Sequence, residues 1–276
     1  MNFLASLRPQ FPAYATAWDK AGWWAVRGLC AAVLLYLLLP ILSIIPLSFS
    51  SSSFLAYPMP GWSLQWYRNL FTSEEWVRAT KNSFIVAPSA TVIATVLGTL
   101  TAVGLARAKF PGKGFLMALL IAPMVVPVVV VGVACYLFFA PLGLADSYTG
   151  LILVHAALGA PFVVTAVLAT LQAFNYNLVR ASLSLGADPI VTFFRVTLPV
   201  IAPGVISGAL FAFATSFDEV VVTLFIAGPE QATLPRQMFT GIRENITPTI
   251  AAAATLLILF TTALMLVLEW LRGRRT

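Results

Sequence analysis

Long apolar runs dominate this chain, and they restrict its fold more than any other feature. A helix needs about 20 apolar residues to cross a hydrocarbon core about 30 Å thick. Six stretches meet that requirement, at 28–49, 82–106, 115–139, 151–171, 200–226 and 248–271. Only 9% of the residues are charged and 60% are hydrophobic, whereas soluble chains carry about 25% charged residues. The sequence therefore describes an all-α membrane protein with six transmembrane helices. Pro40, Pro46, Pro88, Pro123, Pro127, Pro161 and Pro203 fall inside the runs. Each frees a carbonyl that something must satisfy, which suits a bundle rocking around a pathway better than a set of lipid anchors.

Charge orients the bundle. With the N-terminus inside, the cytoplasmic segments hold Arg8, Lys20, Arg27, Arg107, Lys109, Lys113, Arg180, Arg195, Arg272, Arg274 and Arg275. The other side holds Arg68, Arg78, Lys81, Arg236 and Arg243. This positive-inside bias places both termini in the cytoplasm. Residues 1–27 then form a cytoplasmic segment, 28–271 the transmembrane domain and 272–276 a cytoplasmic tail. The pI of 9.6 reports membrane orientation rather than nucleic-acid binding. More than twenty mixed residues precede the first run, too many for a cleaved signal. Cys30 and Cys135 lie in apolar runs, show no disulfide or metal-ligand spacing, and are expected to pack as small hydrophobes.

Two outer segments have their own character. Residues 54–81 include Trp62, Trp66, Tyr67, Phe71 and Trp76, rings that favour the headgroup region and predict an interfacial helix. Residues 228–248 combine Pro and Gly punctuation with a short amphipathic piece, which would close over a pathway or meet an external partner.

The inward connector RASLSLGADP, 180–189, breaks the apolar pattern. Leu178, Ala181, Ser182 and Leu185 recur at i, i+3, i+4 and i+7, predicting one helical face. Gly186 fits the left-handed position after a helix end. Asp188 and Pro189 read as the cap and first turn of a second helix, with Ile190, Phe193, Phe194 and Thr197 on one face and its end at Leu198–Pro199. The pair would either anchor the bundle at the membrane surface or insert into a soluble partner, with Phe193 and Phe194 as the buried aromatic anchors.

Ala181-Ser182, Gly186 and Val196-Thr197-Leu198-Pro199 resemble the cytoplasmic signature of permease subunits of binding-protein-dependent ABC importers. That signature is Glu-Ala-Ala, three residues, Gly, nine residues, then Ile-x-Leu-Pro. Arg180 stands where the family has Glu. Residues 82–114, 216–229 and 233–257 extend the resemblance, the last two toward spermidine/putrescine-type permeases. The resemblance implies a type I importer permease fold, with its core over about 78–270 and coupling helices over about 177–198. It implies a docking surface for an ATPase dimer made by Arg180, Ala181, Ser182, Leu185, Gly186, Ala187, Asp188, Pro189, Phe193 and Phe194. It further implies a second permease subunit, a different chain in this subgroup, and a periplasmic binding protein in a bacterial inner membrane. ATP and Mg belong to the partner ATPase. Gly112-Lys113-Gly114 lacks the upstream glycine spacing of a phosphate-cradling loop, and no cofactor is expected on this chain.

Asp218 and Glu219 fall within the fifth run, after Phe217. An acid at a helix centre costs about 2.5–3.5 kcal/mol on insertion scales, so it should face protein or water. Adjacent carboxylates point about 100° apart on a helix, so one would line the pathway while the other pairs elsewhere. Phe217, Asp218 and Glu219 are therefore candidate pathway residues for a cationic cargo, against a purely structural pairing with a neighbouring helix. His155 has no acidic neighbour in its own run and is expected to pack through hydrogen bonds. Asn82 and Ser83 are expected to cap the second span rather than line a vestibule. No residue pattern suggests catalysis or a metal site. The expected function is polyamine import by alternating access. Another small amine such as 4-aminobutyrate is the alternative cargo. An ion-coupled transporter using Asp218 or His155, or a purely structural subunit, would leave the Gly186 spacing without a purpose.

Overall fold

A computed structural model of the chain describes residues 11, 12 and 14–273, with side chains described through residue 264 and at 266. The first ten residues of the N-terminal segment, residues 274–276 of the tail and the side chains closing the sixth run lie outside the described residues. The chain divides into two compact units, one of residues up to Asn69 and from Ile246, the other of Leu70–Asn245.

The first unit opens with α1 (Ala17–Leu47), which starts well before residue 28. A capping box explains the early start: Thr16 N–H donates to Asp19 Oδ2 at 2.8 Å, and Asp19 N–H donates to Thr16 Oγ1 at 3.2 Å. Pro40 and Pro46 lie inside α1 without ending it. The aromatic segment is loop up to residue 64, and its helical part is divided between Gln65–Thr72 (α2) and the helix that begins at Glu74. The interfacial helix is thus shorter than expected, because Pro58, Pro60 and Gly61 favour a loop, closed by Ser51 N–H donating to the Gly61 carbonyl at 3.0 Å. Trp66 Nε1 donates to the Ser50 carbonyl at 2.7 Å, and Tyr67 shares a 2.7 Å hydrogen bond with Ser48.

In the second unit, α3 (Glu74–Arg107) carries Glu74 and Glu75 in its first turn and Arg107 in its last, matching the helix dipole at both ends. Asn82 and Ser83 therefore lie two turns inside the helix, and neither caps it. The third run is not one straight span. It splits into α4 (Lys113–Val125) and α5 (Val128–Phe139), bent by 107°. Pro127 forces Val126 into extended backbone, φ −69° and ψ 134°. Next come α6 (Tyr148–Gln172), α7 (Asn177–Ser184), α8 (Pro189–Thr192), a π turn (Phe193–Thr197) and α9 (Leu198–Phe217). The fifth run, expected to be continuous over 200–226, breaks after Phe217. It resumes as α10 (Val221–Ile226), followed by α11 (Leu234–Glu244).

The chain returns to the first unit with α12 (Pro248–Gly273), which packs beside α1. Among the described residues, α1, α3, α6 and the joined α8–α9 rod are long and apolar enough to cross a membrane, and α4 and α5 together have that length and apolarity with a 107° bend between them. The sixth expected span is helical along its backbone, and its described apolar part is Pro248–Leu264.

The core of the second unit is the packing of α3, α6 and α9. Small residues let the backbones approach, as expected where lipid removes the hydrophobic drive between helices. Val163 of α6 is the wedge: a Cβ on Gly98 would lie 2.7 Å from its Cβ, and one on Gly208 2.7 Å from its Cα. Ala90, Ala94, Ala102 and Ala212 fill the same layer. A second cluster, Val86, Leu151, Val154, Leu158, Val222 and Ile226, joins α10 to the first half of α6.

Gly208→Val should force α9 off α6, an overpacking cost of about 1–3 kcal/mol, and lower the thermal midpoint of the detergent-solubilised protein. Gly104→Ala, where a Cβ meets nothing within 4 Å, should leave the midpoint unchanged or slightly raised.

Candidate functional site: the Gly186 turn and the break after Phe217

Local chemistry dictates the turn. The Gly186 N–H donates to the Leu183 carbonyl at 3.0 Å, and the Ala187 N–H to the Ser182 carbonyl at 3.2 Å. This pair of bonds closes α7 in a Schellman motif. Gly186 takes φ +85°, where a side chain would be strained. The Asp188 carboxylate then accepts from the Ile190 and Val191 N–H groups, both at 2.8 Å, with Pro189 in the first turn. Ser182 and Thr192 share a 3.0 Å hydrogen bond that folds α7 against α8. The Arg107 guanidinium lies 4.6 Å over the Tyr176 ring, clasping the end of α3 to the start of α7.

The structure corrects three expectations here. The second helix does not end at Leu198–Pro199. The π turn carries it onward, with Leu198 N–H donating to the Phe193 carbonyl. That wider turn accommodates Pro199, which lacks a donor and would crowd the carbonyl one α-turn back. The face expected from Leu178, Ala181, Ser182 and Leu185 also divides. Ser182 turns inward to Thr192, while the other three are exposed. Phe193 turns toward a cavity of about 220 Å³ lined also by Val103, Arg107, Tyr176, Val179 and Thr192. The open apolar surface is instead Leu185, Ile190 and Phe194, which are 88%, 70% and 60% exposed. Arg180, exposed, forms no ion pair among the described residues.

Twenty residues of α9, about 30 Å of helix, separate this end from the break. Asp218 N–H still donates to the Ala214 carbonyl at 3.1 Å. Glu219 then caps α10: its Oε1 accepts from Val222 N–H at 2.8 Å, and its carbonyl accepts from Thr223 Oγ1 at 3.1 Å. The carboxylates thus part because the helix stops between them and α10, not because they face 100° apart on one helix. The Asp218 side chain is exposed and, among the described residues, has no hydrogen bond or ion pair. Phe217 is buried, its ring edge-on to Phe84 at 5.5 Å and stacked on Phe213 at 5.2 Å. His155, buried, bonds Ser216 through Nδ1 at 2.8 Å and Thr223 through Nε2 at 3.1 Å. It packs through hydrogen bonds, as expected.

Residues 94–275 match the model of the binding-protein-dependent transport system inner membrane component family. The chain belongs to this family. It is a permease subunit of an ABC importer, a transport subunit rather than an enzyme. The permease is 30% identical to the spermidine/putrescine transport system permease protein PotC of Escherichia coli (strain K12), over 90% of this chain and 94% of that one. It is 34% identical to the putrescine transport system permease protein PotI of the same organism, over 81% and 82%. A crystal structure of a bacterial ABC transporter that imports the acidic polysaccharide alginate shares its fold, with TM-score 0.76 and 14% identity over 94% of this chain and 99% of that one.

At the opposite end of the bundle from Gly186 lies a set of contacts that sequence reasoning missed. Asn82 Nδ2 donates to the Glu230 and Ala232 carbonyls, both at 2.8 Å, and Tyr148 donates to Asn82 Oδ1 at 2.7 Å. Ser83 Oγ accepts from Leu234 N–H at 2.8 Å. Arg236 donates to the Ala227 and Gly228 carbonyls at 2.7 Å. Burial lowers the pKa of its guanidinium, and nearby Asp146 opposes that shift. These bonds fasten the 228–236 segment onto α3 and α10.

Asp188→Ala should cost about 1 kcal/mol of cap stabilisation. Hydrogen–deuterium exchange at Ile190 and Val191 should rise about fivefold or more, with exchange in the middle of α9 unchanged.

Proposed function

We propose that this permease passes a polyamine-like dication or polycation, such as putrescine or spermidine, through a pathway shared with a second, different permease subunit. The observation that carries the reading is the unpaired Asp218 carboxylate at the break of an otherwise apolar span. The likeness to PotC and PotI over most of the chain supports the cargo class. A carboxylate and an ammonium 4 Å apart attract by about 1 kcal/mol in water and about 4 kcal/mol at an effective dielectric near 20. Asp218 therefore holds a cation while water is thinned around it and releases it once water returns. Glu219, engaged at the start of α10, contributes field rather than contact. Phe217 walls the site.

The drive comes from the other end. Leu185, Ile190 and Phe194 seat in a groove on an ATPase dimer, which binds ATP and magnesium. The Gly186 turn, with Arg180, Ala181, Ser182, Ala187, Asp188, Pro189 and Phe193, sets the shape of that knob. This end and both termini face the cytoplasm of a bacterial inner membrane. The end bearing Asn82 and Tyr148 faces the periplasm, where a binding protein delivers the cargo. Closure of the ATPase dimer rocks the helices between outward-open and inward-open states.

Uptake of labelled putrescine and spermidine into proteoliposomes holding the complete complex tests the cargo. Asp218→Asn should lower cation uptake about tenfold or more, and Glu219→Gln less. Unchanged uptake in Asp218→Asn sinks the cation reading, and faster uptake of 4-aminobutyrate than of either polyamine replaces the cargo. Phe194→Ala should abolish substrate-stimulated ATP hydrolysis, whereas Arg180→Glu should leave it intact. Uptake that persists without ATP on a proton gradient would overturn the ATP-driven mechanism.

A further inference from the structure

We infer that His155 is a positioning residue, a clamp across the break that keeps the Asp218 carboxylate presented to the pathway. The inference rests on the reading of Asp218 given above. It starts from where the two partners of the ring lie. Ser216 is in the last turn of α9 and Thr223 in the first turn of α10, so one imidazole on α6 holds both sides of the interruption.

One tautomer satisfies every partner of the ring at once. The single hydroxyl hydrogen of Thr223 goes to the Glu219 carbonyl, so Thr223 Oγ1 accepts from His155 Nε2–H. Nδ1 is then the acceptor, and the Ser216 hydroxyl donates to it. A neutral imidazole with its hydrogen on Nε2 satisfies every member of the chain Ser216–His155–Thr223–Glu219. That chain ends on the residue next to Asp218. Glu219 Oε1 is used by Val222 N–H, Asp218 N–H by the Ala214 carbonyl, and the Val220 carbonyl by Leu224 N–H. These hydrogen bonds span the interruption without using the Asp218 carboxylate, which takes part in none among the described residues.

Packing alone does not call for an imidazole at this position. One turn along α6, Gly159 sets the approach to α9, where an added Cβ would lie 3.0 Å from Ala212 Cβ. Leu151, Val154 and Leu158 supply the apolar contacts to α10. An apolar side chain at 155 would fill the space but leave the Ser216 hydroxyl, and the lone pair of Thr223, without a partner. Losing buried partners where water is excluded is unfavourable, and residues 218–220 are then free to rearrange.

The test uses the complete complex with Cys30→Ala, Cys135→Ala and Asp218→Cys. The thiol at position 218 is modified with a membrane-impermeant cationic methanethiosulfonate reagent. Introducing His155→Phe, or the isosteric Thr223→Val, should change the modification rate at least fivefold. Equal rates in an assembled Thr223→Val complex overturn the inference, and that variant decides the matter if His155→Phe fails to assemble. In the chain that keeps Asp218, Thr223→Val should raise the half-saturating polyamine concentration about tenfold with the maximal uptake rate within twofold. Combined with Asp218→Asn, it should add no further loss. Fully additive losses, or a fall in maximal rate alone, mark His155 as core packing and sink the clamp. The labelling arm is independent of cargo, so a harmless Asp218→Asn removes the cation reading without deciding the clamp.

Discussion

Every backbone N–H and C=O within a hydrocarbon layer must find a partner in the protein, since an unsatisfied group there costs several kcal/mol. The rest of this structure depends on that constraint. Helices can open only where the freed groups are caught again. At Pro127, Val126 N–H turns back to the Ala122 carbonyl at 2.9 Å and the Pro127 carbonyl accepts from Val130 N–H at 2.9 Å. At the Gly186 turn, outside the spans, Schellman bonds close the helix end in the same way. After Phe217 the Glu219 carboxylate and the Thr223 hydroxyl serve the same end. At the first two interruptions other backbone groups take up the freed bonds, and after Phe217 side chains do.

The same medium decides how the helices meet. Lipid is as apolar as leucine, so close contact between backbones has to supply what burial from water supplies elsewhere. α6 is central to that contact in the second unit, with Val163 wedged between Gly98 and Gly208. A rigid frame of this kind matters for the break beside it. The frame holds the last turn of α9 in place, so a few hydrogen bonds from His155 suffice to set the geometry of three residues.

What was legible in the sequence was local. Gly186, Asp188 and Pro189 announce a left-handed exit, a cap and a first turn, and each does that work through atoms at most five residues away. The apolar runs likewise announced helices, and the family resemblance led to the permease fold. Long-range partners were not legible. His155 meets residues 61 and 68 positions along the chain, and Asn82 meets carbonyls 148 and 150 positions away. Pro199 reads as a stop, although a π turn lets the helix pass it. Asp218 and Glu219 read as part of a span because a break and a continuous helix share the same apolar composition there. The start of α1 was recoverable, since Thr16 and Asp19 have capping-box spacing, but hydropathy alone drew attention to a later point.

The π turn has a mechanical consequence. Because it joins α8 to α9 without a gap, Pro189–Phe217 is a single rod of 29 residues, about 43 Å long at 1.5 Å per residue. A hinge at Pro199 would have absorbed motion of the Gly186 knob locally. A continuous rod instead carries such motion along its whole length, so the α3 and α6 helices packed against it tilt with it as one body. A tilt of that body by about 10° about the Pro189 tip carries the Phe217 end by about 7–8 Å.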